Sequence, residues 1–188
     1  VTATQALSLG VLAGGRGRRM GGVDKAWIEV GGVTLLQRCL AGFPGFAGAV
    51  LVSARSADPR FAALGLHPVF DRRPGFAGPL AGLEALANAC STPWLLTVPV
   101  DVEGLPGDLA ARLYAARRRN GAVLADAVGL QPLVALWSVP ALRTAAASAL
   151  DAGHAAARDL VAALDLAVVD IAPATLRNRN TPEDLQQP

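Results

Sequence analysis

The sequence predicts an α/β chain built on a doubly wound, mostly parallel sheet with helices on both faces. Three observations predict it. Strand-length apolar runs alternate with helical runs along the 188 residues. The runs "AVLVS" (49–53) and "WLLTVPV" (94–100) lack an alternating polar face, as strands covered on both sides do. The connections are short, with no repeat, low-complexity linker or composition break, so residues 1–188 read as one domain.

The elements follow in order. Strands are predicted at 6–12, 48–53, 67–71, 94–99, 122–125, 132–137 and 166–170, most of them ending at Gly, Pro or Asp. Helices are predicted at 33–43, 57–64, 80–90, 107–119, 140–151 and 156–164. In "GPLAGLEALANA" Gly78 and Pro79 mark a turn and a helix start. "RRR" at Arg117–Arg119 is placed at a helix C-terminus, where cations complement the dipole. "LQPLVALW" is the strand expected to pair antiparallel. In "NRNTPEDL" Thr181 and Pro182 read as N-cap and first helical residue.

Composition narrows the function classes. The chain is 52% hydrophobic but only 5% aromatic, so Ala, Leu and Val fill its core. No apolar run approaches a membrane span. The first ten residues lack a basic and apolar signal pattern, and Cys39 and Cys90 form no C-x-x-C; both read as core residues of a cytoplasmic protein. Net charge is +2, without the aromatic-interleaved basic patch of a nucleic-acid binder. His67 and His154 have no ligand spacing and no nucleophilic partner.

The most informative stretch is "LAGGRGRRMGGVDKA", Leu12–Ala26. It fits neither G-x-x-x-x-G-K-[ST] nor G-x-G-x-x-G. Its ingredients still suit a polyphosphate: glycines admit an anion to the backbone, arginines offer planar forks, and Lys25 offers a compact charge. Lys25 is the only lysine among 17 cations. A lysine kept where arginine is used everywhere else marks a spot unsuited to a guanidinium. This loop, Asp71 and Asp101 each follow a predicted strand, and in a doubly wound sheet ligands bind beyond the carboxyl ends of strands. An aspartate such as Asp101 there can hold Mg²⁺ bridged to substrate phosphates, or can simply cap a turn. Asp24 is placed to orient Lys25.

These blocks resemble the molybdenum cofactor guanylyltransferases, a branch of the nucleotidyltransferases with a Rossmann-like fold. "LAGGRGRRMGGVDK", "DRRPGFAGPLAGLEAL", "WLLTVPVDVEGLPGDLAARL" and "NRNTPEDL" stand in family order across nearly the whole chain. The resemblance implies that Leu12, Ala13, Gly14, Gly15, Lys25, Ser53, Asp71, Gly78, Pro79, Leu80 and Asp101 meet the nucleotide. It implies catalytic roles for Arg19, Lys25 and Asp101, magnesium on Asp101, and Asn178 and Asn180 near the second substrate. It also implies GTP and molybdopterin as substrates, with molybdopterin-delivering or molybdoenzyme-maturation proteins as partners of a monomer. Ser53 departs from the family, which commonly has an asparagine contacting guanine there. Two other readings stay open from the sequence: a nucleotidyltransferase with another nucleotide or a sugar-phosphate acceptor, and a GTP-binding protein without catalysis.

Overall fold

The computed structural model describes residues 6–14, 24–73, 78–154 and 156–179. In chain order the elements are β1 (Leu7–Leu12), the short strands β2 (Glu29–Val30) and β3 (Val33–Thr34), α1 (Leu35–Ala41), β4 (Val50–Ala54), α2 (Pro59–Ala63), β5 (His67–Phe70), α3 (Pro79–Ala89), β6 (Trp94–Pro99), β7 (Val102–Glu103), α4 (Leu109–Ala116), β8 (Gly121–Asp126), β9 (Gly129–Ser138), α5 (Val139–Asp151), α6 (Ala157–Ala163), β10 (Ala167–Asp170) and β11 (Arg177–Asn178). Seven strands make the central sheet in the order β10-β8-β9-β6-β1-β4-β5. Only β9 pairs antiparallel, with β6 and β8; the other pairings in this sheet are parallel. The chain runs outward from β1 through β4 to β5, then returns to β1's other side with β6. The topological switch point therefore lies at β1.

Local chemistry sets the helix starts. Thr34 and Gln37 form a capping box on α1, and Asp58 caps α2 ahead of Pro59. Pro79 occupies the first turn of α3, where its missing N–H is not needed. The strand pleat then divides the core in two. Leu7, Leu9 and Val11 of β1 pack with residues of α1, α2 and α4, while Leu12 packs with α3, α5 and α6 on the other face. Gly10 faces α3, where a Cβ would come within 3.1 Å of Leu86 and of Leu95. The buried Trp137 indole donates to Thr97 Oγ1 at 2.8 Å, and Thr97 donates to the Leu133 carbonyl at 3.0 Å, so both polar groups are satisfied. Cys39 and Cys90 are buried and free. Among the described residues no helix is long and apolar enough to cross a membrane.

Some boundaries differ from expectation. The helix expected at 107–119 is only Leu109–Ala116, so the arginine run lies beyond it. Arg117 instead lays its guanidinium 3.6 Å from the Tyr114 ring centroid, and Arg118 pairs with Asp165. The helix expected from residue 33 starts at Leu35, because Val33 and Thr34 pair with β2. The short strands β2, β3, β7 and β11 are additions that apolar periodicity cannot signal at two residues each.

Asp126 ends β8 buried. Its Oδ2 accepts from the Leu176 N–H at 2.8 Å and its Oδ1 from the N–H groups of Val128 and Gly129 at 2.9 and 3.2 Å. These donors, Leu176 foremost, hold the carboxyl below its usual range although burial pushes the other way. A depressed folded-state pKa gives stability that is present above the unfolded value, about 3.9, and is lost as pH falls through the folded one. Acid unfolding followed by near-ultraviolet circular dichroism is therefore expected to be steeper below about pH 4 in the native chain than in Asp126→Asn. Equal slopes would show that this carboxylate does not couple protonation to folding.

Candidate active site

The register places the site residues. Leu12 pairs with Ser53 on one side and Pro99 on the other, and Ser53 pairs with Val69, so these four residues form one row across the sheet. Two residues beyond that row, along the carboxyl edge, stand Gly14, Asp71 and Asp101. The three segments predicted to converge do lie on one edge, on either side of the switch point. Asp101 and Asp71 are separated by three strand spacings, about 14 Å.

Around β1 the backbone approach is close. The Ser53 carbonyl accepts from both Ala13 N–H (3.0 Å) and Gly14 N–H (2.7 Å). A Cβ on Gly14 would sit 3.2 Å from Ser53 Oγ, and one on Gly82 of α3 would sit 2.8 Å from it. The Ser53 side chain is thus buried between the start of the Gly-rich loop and α3. Gly78 is the N-cap of α3 and Pro79 its first residue. Leu80 is wholly buried in the core, so its side chain is closed to a ligand.

Lys25 opens a short 3-10 turn, Lys25–Trp27, whose fixed geometry comes from three neighbours. The Asp24 carboxylate accepts from Ala26 N–H at 3.0 Å. Ala26 is completely buried. Trp27 packs on Phe61 with ring centroids 4.7 Å apart and carries the Arg60 guanidinium 4.3 Å from its ring. The turn presents Lys25 Nζ to Asp101 Oδ2 at 2.5 Å, with side chains 24% and 10% exposed. The lone lysine and the strand-end aspartate therefore meet, although 76 residues separate them. Burial, and after it the charge of Asp101, push the Cys39 thiol up to about 12, which disfavours the thiolate.

Asp101 is also held from its other side. Its carbonyl accepts from Arg179 N–H at 2.9 Å, extending the antiparallel ladder in which Asn178 faces Val102 and Arg177 faces Glu103. Asn178 is exposed on this ladder. Gly15, Arg19 and Asn180 lie outside the described residues.

Asp71 has a different environment. Its carboxyl is raised, first by removal from water and then by the charge of Glu84. Arg73 does not pair with Asp71. Its Nε and Nη2 grip the buried Glu84 of α3 at 2.9–3.2 Å, and its Nη1 bonds Asp151 at the end of α5. Glu84, Glu103 and Arg179 are the polar residues that sequence reasoning passed over. Glu103 and Arg179 pair across elements distant in the chain, and Glu84 is reached by Arg73 from the segment leading into its own helix; no spacing rule reports either pair.

Residues 9–168 match the model of the MobA-like NTP transferase domain. A molybdenum cofactor guanylyltransferase of Shewanella sp. (strain MR-4) is 36% identical over 182 residues, covering 94% of this chain and 92% of that protein. One from Ralstonia nicotianae is 43% identical over 122 residues, covering 65% of this chain and 60% of that protein. The crystal structure of 2-C-methyl-D-erythritol 4-phosphate cytidylyltransferase from Thermus thermophilus is similar at a TM-score of 0.68 and 26% identity, over 94% of each chain. With the fold and the matched sequence in agreement, the chain belongs to the MobA-like NTP transferase family and is a nucleotidyltransferase.

Proposed function

We propose that this chain moves GMP from GTP to the terminal phosphate of molybdopterin, giving the guanine dinucleotide form and pyrophosphate. The observation that carries the reading is the Lys25–Asp101 pair at the switch point, in a chain whose relatives are named for guanylyl transfer. An acceptor phosphate oxygen attacks the α-phosphorus, a new P–O bond forms, and the bond from the α-phosphorus to the bridging oxygen of pyrophosphate breaks. The acceptor is already ionised at neutral pH, so no strong general base is needed. What the site must supply is alignment of two anions and a counter-charge for the leaving group. The start of the Gly-rich loop brings its backbone to the nucleotide, Lys25 places an ammonium on the phosphates, and Arg19 adds a guanidinium.

Asp101 fits magnesium by its chemistry. It is a hard oxygen ligand at a shielded strand end, and Mg²⁺ is commonly held by one or two carboxylates together with substrate phosphates and water. When bound, the ion supplies positive charge to the phosphates undergoing transfer. Asp71, three strands away, is the candidate for the ribose or base, and Gly78, Pro79 and the Leu80 backbone for the same end of the nucleotide. Asn178 and Asn180 are the candidates for the acceptor. We place the enzyme in the cytoplasm as a monomer that receives molybdopterin from maturation proteins.

Pyrophosphate release by the purified chain with GTP, molybdopterin and Mg²⁺ tests the reading, with sugar phosphates as competing acceptors. Release that requires molybdopterin, and that disappears in Asp101→Ala while the fold persists, is the expected result. Equal release with any phosphorylated acceptor would overturn the choice of substrate.

Ser53 stands where the family commonly has an asparagine that contacts guanine, but its side chain is buried between Gly14 and Gly82 and is closed to the base. GTP is expected to be preferred over CTP and ATP, less strictly than where an asparagine reads the base. Ser53→Asn is expected to leave the GTP-to-CTP ratio of kcat/KM within about twofold and to lower the thermal midpoint, because the larger side chain has no room. A ratio raised about tenfold, the value of one added hydrogen bond, would show that position 53 reads the base.

A further inference from the structure

We infer that Arg179 and Glu103 form a latch that positions Asp101 for its metal, an inference that rests on the reading of Asp101 above. Asp101 lies in the connection between β6 and β7. Its main chain is anchored upstream by Val100 N–H, which donates to the Leu12 carbonyl at 3.1 Å. Downstream, two-residue strands are too short to hold a ladder firmly by themselves. The ladder of β7 with β11 is nevertheless closed at its Asp101 end by Arg179, whose N–H donates to the Asp101 carbonyl.

The Arg179 side chain is far more buried than those of its neighbours. It is 10% exposed, whereas Arg177 and Asn178 are exposed. Its Nε lies 2.7 Å from Glu103 Oε1, and Arg38 of α1 brings a second guanidinium to 3.8 Å from the same oxygen. One carboxylate therefore joins β7, β11 and α1. The pair ties together the strand that follows the proposed metal ligand and the strand that donates to that ligand's own carbonyl. The guanidinium end of this ion pair is buried and the carboxylate end 30% exposed, so removing Glu103 takes a counter-charge from a shielded guanidinium and loosens the tie between the strands. Arg179 and Glu103 are positioning residues: they act on the metal through the placing of Asp101.

Two readouts test the latch. The first is amide hydrogen exchange at Arg179, whose N–H donates to the Asp101 carbonyl; it needs no substrate or metal. Glu103→Ala is expected to speed exchange there at least tenfold, while Glu103→Asp, which keeps a carboxylate facing Arg179, recovers part of the protection. The second is the Mg²⁺ concentration for half-maximal pyrophosphate release. It is expected to rise about tenfold in Glu103→Ala and to return towards wild type in Glu103→Asp, with KM for GTP at saturating Mg²⁺ changed less than threefold. Unchanged exchange in Glu103→Ala overturns the latch. Faster exchange with an unchanged Mg²⁺ requirement overturns its role in placing Asp101. If the wild-type chain releases no pyrophosphate from any nucleotide, the proposed reaction is lost, and the latch stands or falls on the exchange rates.

Discussion

Lys25→Ala lowers kcat by about a hundredfold, and Lys25→Arg is nearly as poor although it keeps the charge. Nζ sits 2.5 Å from Asp101 Oδ2, and the turn that carries it is fixed by the Asp24 cap, the buried Ala26 and the Trp27–Phe61 contact. An ammonium is compact and places its three donors around one point. A guanidinium is planar, wider and carried further from the backbone, so it must either displace Asp101 or pull the turn out of register. Losing a donor aimed at charge that develops during transfer costs about 3 kcal/mol, which is the hundredfold loss. Steady-state kinetics at saturating Mg²⁺, with thermal midpoints showing both variants folded, decide the matter. Near-wild-type turnover by the arginine variant would mean that Lys25 contributes charge alone, and the solitary lysine would have no geometric explanation.

Arg73→Ala lowers the thermal midpoint by on the order of 10 °C. Glu84 is buried on α3, and Arg73 reaches it with two nitrogens while the third bonds Asp151. Removing the arginine leaves a carboxylate under the sheet edge without its counter-charge. It also leaves that charge acting unopposed on Asp71, whose carboxyl Glu84 already raises. Replacing both partners with apolar residues, Arg73→Met with Glu84→Leu, is expected to restore most of the midpoint, because no charge then remains to be desolvated. Calorimetry of the two variants separates the mechanisms: a double variant as unstable as the single one would locate the loss in packing rather than in the orphaned charge.

The sheet was legible because its strands are long enough to carry a pattern. "WLLTVPV" reads as a two-sided strand, and β6 lies in the interior of the sheet. β9, the run expected to pair antiparallel, is the reversed strand. Lys25 and Asp101 were legible as separate features, one by its uniqueness and one by its place at a strand end; their contact was not, because it depends on how a turn packs on Phe61. The Arg73–Glu84 and Arg179–Glu103 pairs were illegible for a related reason. A charged residue in an apolar helix or beside an asparagine carries no mark of its partner until the topology brings the two together.

The position of β1 at the switch point also sets an order of events during synthesis. Leu9 pairs with Val50 on one side and with Leu96 on the other. β1 is made well before β6, so one of its edges stays open until the chain has been made beyond β6, and long-range parallel pairing is intrinsically slow. The β8–β9 hairpin, by contrast, is contiguous in sequence and closes locally. The carboxyl edge of the sheet around β1 is thus assembled by distant contacts in the chain. A nascent chain arrested before Asp101 has its Gly-rich segment and Lys25 but no proposed metal ligand to set against them, so substrate can guide only the last stage of folding.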